Sequence, residues 1–247
     1  MRVLFPLLVA AWFVPIHTLR AQQLDADTVT RAPSVSSTPK FWGVTLDLGS
    51  ATINVDKLNT YFAPYTAATL SREGVSQAIQ LVLSDHVFGS GAFFYQQALT
   101  FPEQDRSKPS LSLHQHTAGF ELQKILVDKR IKVVLPSLGM GWRLSNVTYS
   151  PAQPASLPLD SLFQQPSSFT IRNQSILVSA GAGLYYVVRG FRAAGIRQLD
   201  LGVSGCYAYT LRPGDWSVLG TSTTALVPPT RFDYYTIRLS ASLLLHR

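Results

Sequence analysis

From residue 41 onward, bulky apolar side chains fall on alternate positions over long stretches of the chain. In 198–211, Leu199, Leu201, Val203, Tyr207, Tyr209 and Leu211 occupy one face, and Asp200, Gly202, Ser204, Cys206, Ala208 and Thr210 the other. A period of two is the mark of a β-strand. The same alternation runs through 41–49, 133–144, 175–189 and the C-terminal 234–245. Three further stretches, 77–84, 87–99 and 111–126, are strand-like but less regular, and 87–99 does not declare its faces. Pro136 falls within 133–144 and lacks an N–H, which leaves a partner carbonyl unpaired and counts against a regular strand unless a bulge absorbs it.

The character of the second face sets the environment. A half-buried strand of a soluble protein carries long polar chains on its outer side. Here the less apolar face is built from Gly, Ser, Ala and Thr, and the bulk is all on the other. A closed barrel in lipid wants this arrangement, because every backbone group is paired within the ring and the greasy side faces acyl chains. Eight strands leave an interior only just wide enough for side chains, which small residues suit. The connections also alternate in length. Long links at 50–76, 100–110, 147–173 and 212–232 alternate with short ones at Asp85-His86 and Asp128-Lys129 and a moderate one at 190–196. The reading is an all-β chain: an eight-stranded antiparallel transmembrane β-barrel with long outer loops and short periplasmic turns. Aromatic residues then fall into two belts, Trp42 and Tyr186 near the inner ends of their strands, and Trp142, Tyr207, Tyr209 and Tyr235 near the outer ends.

Composition sharpens this picture. Charged residues are 14% of the chain, against about 25% in ordinary soluble domains. The formal net charge of +7 is scattered along the chain, which gives no nucleic-acid stripe. Residues 1–21 carry Arg2, an apolar stretch and a small-residue cleavage point, as a signal peptide does. Residues 22–39 read as a flexible leader, and 40–247 as the barrel. Cys206 is the single cysteine, so an internal disulfide is excluded, and its place on the small face suggests a buried filler.

The opening strand FWGVTLDLG, the segment NVDKLNTYF after it, the strands SLGMGWRLS and VSAGAGLYY, and the closing TIRLSASLLL together resemble small bacterial outer-membrane β-barrels. The likeness is to the broad OmpA-like or OmpW-like eight-stranded class, and within it to barrels of Bacteroidota-type bacteria. It covers residues 41–246 and implies export to the outer membrane. The chain ends in His246-Arg247 rather than on the aromatic residue that closes many such barrels.

Candidate chemistry is sparse. Asp47, Glu121, Arg143, Asp200 and Arg238 lie on small-residue faces, so they point inward and are expected to neutralise one another in an internal network. Arg189 shares such a face nearer the rim. His114 and His116 share one face of a strand and could hold a metal, but no third ligand accompanies them, so neither a metal nor any other cofactor is expected. An acyl-transfer site would need His116 close to Glu121. Their odd spacing places them on opposite faces, so no enzyme is expected. In the first loop, Val55, Leu58, Tyr61, Phe62 and Tyr65 recur at helical spacing, with Asn54 or Asp56 able to cap and Pro64 limiting the end. This predicts a short amphipathic helix in the loop, which caps the barrel mouth or lies at the membrane interface.

The expected role is structural or surface-interactive, with loops presented outside the cell. Its partners are outer-membrane lipid, lipopolysaccharide and a surface ligand, with no nucleic acid, and the chain is expected to work as a monomer. A narrow channel for small or hydrophobic solutes is the alternative, and a lipid A-modifying enzyme stands third.

Overall fold

The computed structural model describes residues 41–85, 89–101, 108–128, 130–152, 168–189, 196–221, 224–225 and 227–246. Alternating side chains with abundant Val, Leu, Phe and Tyr produce strands β1 (Phe41–Ile53), β2 (Glu73–Asp85), β3 (Gly89–Thr100), β4 (Ser110–Asp128) and β5 (Ile131–Ser150). They continue in β6 (Phe169–Arg189), β7 (Ile196–Val218), the two-residue β8 (Thr224–Ala225) and β9 (Tyr234–His246), with one helix, α1 (Asp56–Phe62), among the described residues. Each strand from β1 to β7 pairs antiparallel with the next, and β9 pairs with both β7 and β1. The result is a closed eight-stranded barrel, with β8 added only to one end of β7. We call the end carrying α1 the upper end. Phe41 and His246 pair at the lower end.

The registers fix the barrel's dimensions. Starting at Trp42 and stepping across partners gives Leu83, Gly91, Leu122, Leu138, Ala180, Tyr207 and Tyr235, and returns to β1 at Thr52. The circuit thus closes ten residues further along β1. With strands about 4.8 Å apart and rising about 3.3 Å per residue, this offset means a tilt of roughly 40° and a backbone radius of roughly 8 Å. Each residue then climbs roughly 2.5 Å along the barrel axis.

Several expectations change at the strand ends. β5, β6 and β7 continue to Ser150, back to Phe169 and on to Val218, so the upper connections are shorter than 147–173 and 212–232 suggested. Polar outward residues above the apolar band hid these extensions from an apolar alternation. The faces of β3 are now assigned, with Ala92, Phe94, Gln96 and Ala98 buried inward and Phe93, Tyr95 and Leu99 outward. At Pro136 the register of β5 against β6 jumps between Val134 and Ser137. This irregularity exchanges the faces below it. Val134 is buried inside, whereas an unbroken alternation through 133–144 puts it on the outer face with Leu138 and Met140. The expected signal peptide (1–21), the leader (22–39), His86 and Lys129 lie outside the described residues.

Candidate functional site

The upper mouth is filled by side chains. α1 buries Leu58 and Phe62, and Val55 just before it is also buried. Val55 takes the N-cap position without a side-chain cap; the Asn54 Oδ1 lies 3.4 Å from the Asp56 N–H. The helix ends before Pro64, which has no N–H to bond back to the Thr60 carbonyl, and Ala63 still donates to the Asn59 carbonyl at 3.0 Å. Tyr61 packs against the core, but Tyr65 lies beyond the helix and is 74% exposed, so it does not belong to the packed face. The returning loop is held by Asn59, which donates to the Leu70 carbonyl (3.0 Å) and accepts from the Leu70 N–H (2.7 Å).

A second segment completes the stopper. Phe232, just before β9, is fully buried and meets Trp216 of β7 edge-on at 5.9 Å. Its neighbour Asp233 accepts from the Thr210 N–H (3.0 Å), and the Asp233 carbonyl accepts from the Asn54 N–H (2.9 Å). Ile53, Leu111, Leu113 and Val147 on the barrel wall join the same apolar cluster. Nothing in the alternation of β7 marks Trp216, because register shifts against β6 interrupt the pattern there.

Below the stopper the interior is polar, and its charges fall at three levels, with Asp47, Arg238 and Glu121 together at the middle one. Asp47 lies 3.4 Å from Arg238 Nη1 across the β1–β9 seam and accepts from Gln80 Nε2 at 2.6 Å. Glu121 is buried and accepts from Gln123 Nε2 at 3.0 Å. Asp200 is fully buried near the lower end, where Lys132 Nζ approaches to 3.0 Å and Gln198 donates at 2.6 Å. Arg143 is fully buried directly under the stopper. It donates to the Phe232 carbonyl and lies 4.6 Å above the Tyr234 ring, with no carboxylate at ion-pair distance among the described residues. The five expected residues therefore all line the interior, but only Asp47 and Arg238 pair with each other. Lys132, the partner of Asp200, was missed. Continuous alternation along β5 puts it outside, and only the irregularity at Pro136 turns it in.

The outer wall carries the remaining candidates. Trp42, Trp142, Tyr186 and Tyr235 are each 40–55% exposed on the outward face, and Tyr207 and Tyr209 share that face. By the registers, Trp42 and Tyr186 lie at one level, and Trp142, Tyr207, Tyr209 and Tyr235 lie roughly 19–24 Å above it. Between these levels the outward positions include Leu46, Ile79, Phe93, Met140, Leu184, Val203 and Leu239, all exposed. His114 and His116 also face outward, near the upper belt, with ring centroids 4.2 Å apart. Among the described residues no group of three or more His, Cys, Asp or Glu side chains comes together to hold a metal. Glu121 points inward and His116 outward, so the two do not meet.

No family model and no curated protein matches the chain. Among solved structures it is similar to Neisserial surface protein A, with 14% identity over 83% of this chain and 97% of that one and a TM-score of 0.42. Ail, the attachment invasion locus protein of Yersinia pestis, matches at 13% identity over 84% and 100% of the two chains, TM-score 0.40. A major outer membrane protein from Thermus thermophilus matches at 12% identity over 83% and 99%, TM-score 0.45.

Proposed function

We propose that this protein spans a bacterial outer membrane as a closed, stoppered barrel and works through the surface presented at its α1 end. The observation that carries this reading is the outward band of exposed apolar side chains bordered by two aromatic levels roughly 19–24 Å apart, close to the apolar height of a membrane barrel. Water does not stabilise such a band, whereas acyl chains do. The upper end then faces out of the cell, and the lower, where β1 begins and β9 ends, faces the periplasm. The apolar plug of Leu58, Phe62, Phe232 and Trp216 favours a structural or surface-interaction role over conduction. Outer-membrane lipid and lipopolysaccharide are its surroundings in this reading, and the barrel acts as a single chain.

The narrow-channel alternative draws on the polar lower interior, where Thr45, Ser179, Ser240 and Ser242 are buried inward. It requires the stopper to move.

Two measurements on purified outer membranes test the proposal. An unboiled sample should migrate differently from a boiled one on a detergent gel, as a folded barrel that resists cold detergent does. The reconstituted protein should show no steady openings in a planar bilayer. Recovery in the soluble periplasm would overturn the membrane reading, and steady conductance would favour the channel.

A further inference from the structure

The outward wall differs around the ring. At the height of the upper aromatic belt and just above it, β5–β7 present Leu144, Ile176 and Leu211. At the same height β1–β4 present Ser50, Thr52, Gln77, Gln97, His116 and His114, with Val75 and Leu99 as apolar positions among them. The apolar band is therefore interrupted by polar side chains over four strands.

The polar side chains in this stretch are joined to one another. Gln77 Nε2 donates to Gln97 Oε1 at 2.8 Å, Gln97 Nε2 donates to the Tyr95 hydroxyl at 2.9 Å, and that hydroxyl lies 2.6 Å from His116 Nδ1. One hydrogen-bonded ladder thus crosses β2, β3 and β4 on the outside of the barrel. It uses His116 through Nδ1 and leaves Nε2 outside its bonds. Beside it His114 Nε2 is buried without a partner among the described residues. On the other flank a depression of about 560 Å³ opens along β1 and β2, bordered by Ser50, Thr52, Glu73, Val75 and Phe101. Directly below, Leu48, Ile79, Leu81 and Phe93 are exposed apolar wall.

Charge decides which headgroup this suits. The ladder consists of amides, a phenol and an imidazole. The nearby Arg72 is held by Asp56 at 2.7 Å, and Glu73 on the rim of the depression repels anions. Among the described residues that border the ladder and the depression, a phosphate would meet no cation other than Arg72. Hydroxyl groups, by contrast, both donate and accept, as amides and phenols do. Phe101 adds an apolar face of the kind a sugar ring can lie against.

We propose that the ladder and the adjoining depression bind the uncharged sugar headgroup of a membrane glycolipid, whose acyl chains lie on the Leu48, Ile79 and Phe93 wall. The inference rests on the membrane-spanning reading above.

The test uses the full-length mature chain refolded into phosphatidylcholine vesicles. Spin-labelled digalactosyl diacylglycerol, phosphatidylcholine and phosphatidylglycerol are each added in trace amounts, and the motionally restricted fraction is read by electron paramagnetic resonance. The galactolipid is expected to be enriched at the wall by roughly threefold over phosphatidylcholine, an easily resolved difference in association. That preference should fall to parity in Gln97→Leu and in Tyr95→Phe, the latter keeping the ring while removing the central hydroxyl. Parity in the unaltered protein, an undiminished preference in both variants, or a preference for phosphatidylglycerol would each overturn the sugar site. A boiled-versus-unboiled gel of the same vesicles keeps the two levels apart: loss of the gel shift in the unaltered protein would sink the membrane reading itself.

Discussion

Buried charges separate into two kinds in this barrel. Arg238 and Asp47 are partners across the seam, so removing one leaves the other buried without its opposite charge. Arg238→Ala is expected to cost about 3–5 kcal/mol. Arg143 has a backbone carbonyl and an aromatic ring for company, not an acid. Arg143→Met keeps much of the bulk and removes a buried cation, which is often neutral or mildly stabilising. The temperature at which the unboiled gel band converts to the boiled one should therefore fall for Arg238→Ala and stay within a few degrees for Arg143→Met. An equal fall in both would mean that Arg143 belongs to the ion-paired set after all. The inward placement of all these groups was legible, because a period of two leaves a charge no third option. Their pairing was not. It depends on height around a tilted ring, and for Lys132 on one irregularity at Pro136 that exchanges the two faces of β5.

The helix α1 could be anticipated from its spacing, and its end from Pro64, which lacks the N–H to continue it. Its role as part of a stopper could not, since half of that stopper is Phe232, far away in sequence, in a segment whose Asp233 bonds Thr210 and Asn54. Truncating both components, in Leu58→Ala with Phe232→Ala, should remove the plug while leaving the wall intact. Each truncation costs about 2–5 kcal/mol where the site cannot collapse. Planar-bilayer recording should then show openings that the unaltered protein lacks. A silent double variant with a normal gel shift would place the barrier lower, in the polar interior. The upper strand extensions escaped the sequence reading for a related reason. Above the apolar band the outward face no longer needs grease, so Thr148, Asn146 and Arg172 look like loop residues although the strand pairing continues through them.

For the molecule as a whole, the tilt and the ten-residue offset place Trp42 and Trp142 at opposite ends of the apolar band and Trp216 inside. Single-tryptophan variants in vesicles should report this directly. Lipids brominated near the headgroup should quench Trp42 and Trp142 strongly, and lipids brominated anywhere on the chain should leave Trp216 almost untouched. Strong quenching of Trp216 would turn the barrel inside out. The closed eight-stranded fold was readable because small inward and bulky outward residues repeat in most of the strands. The offset was not, since no local pattern records how far the last strand has slipped against the first.

The pairing of first and last strands also governs how the barrel is completed. Thr45 bonds Ser242 at 2.8 Å, Asp47 meets Arg238, and a side chain at Gly49 would strike the Ile237 carbonyl, so β1 and β9 fit each other closely. They are also the first and last strands to be made, and β1 has to wait, with one edge open, until β9 arrives. During that wait the strand that matches β1 best is β9, whether from its own chain or from a neighbour. A crowded refolding mixture should therefore yield swapped pairs in which each molecule lends its final strand to the other.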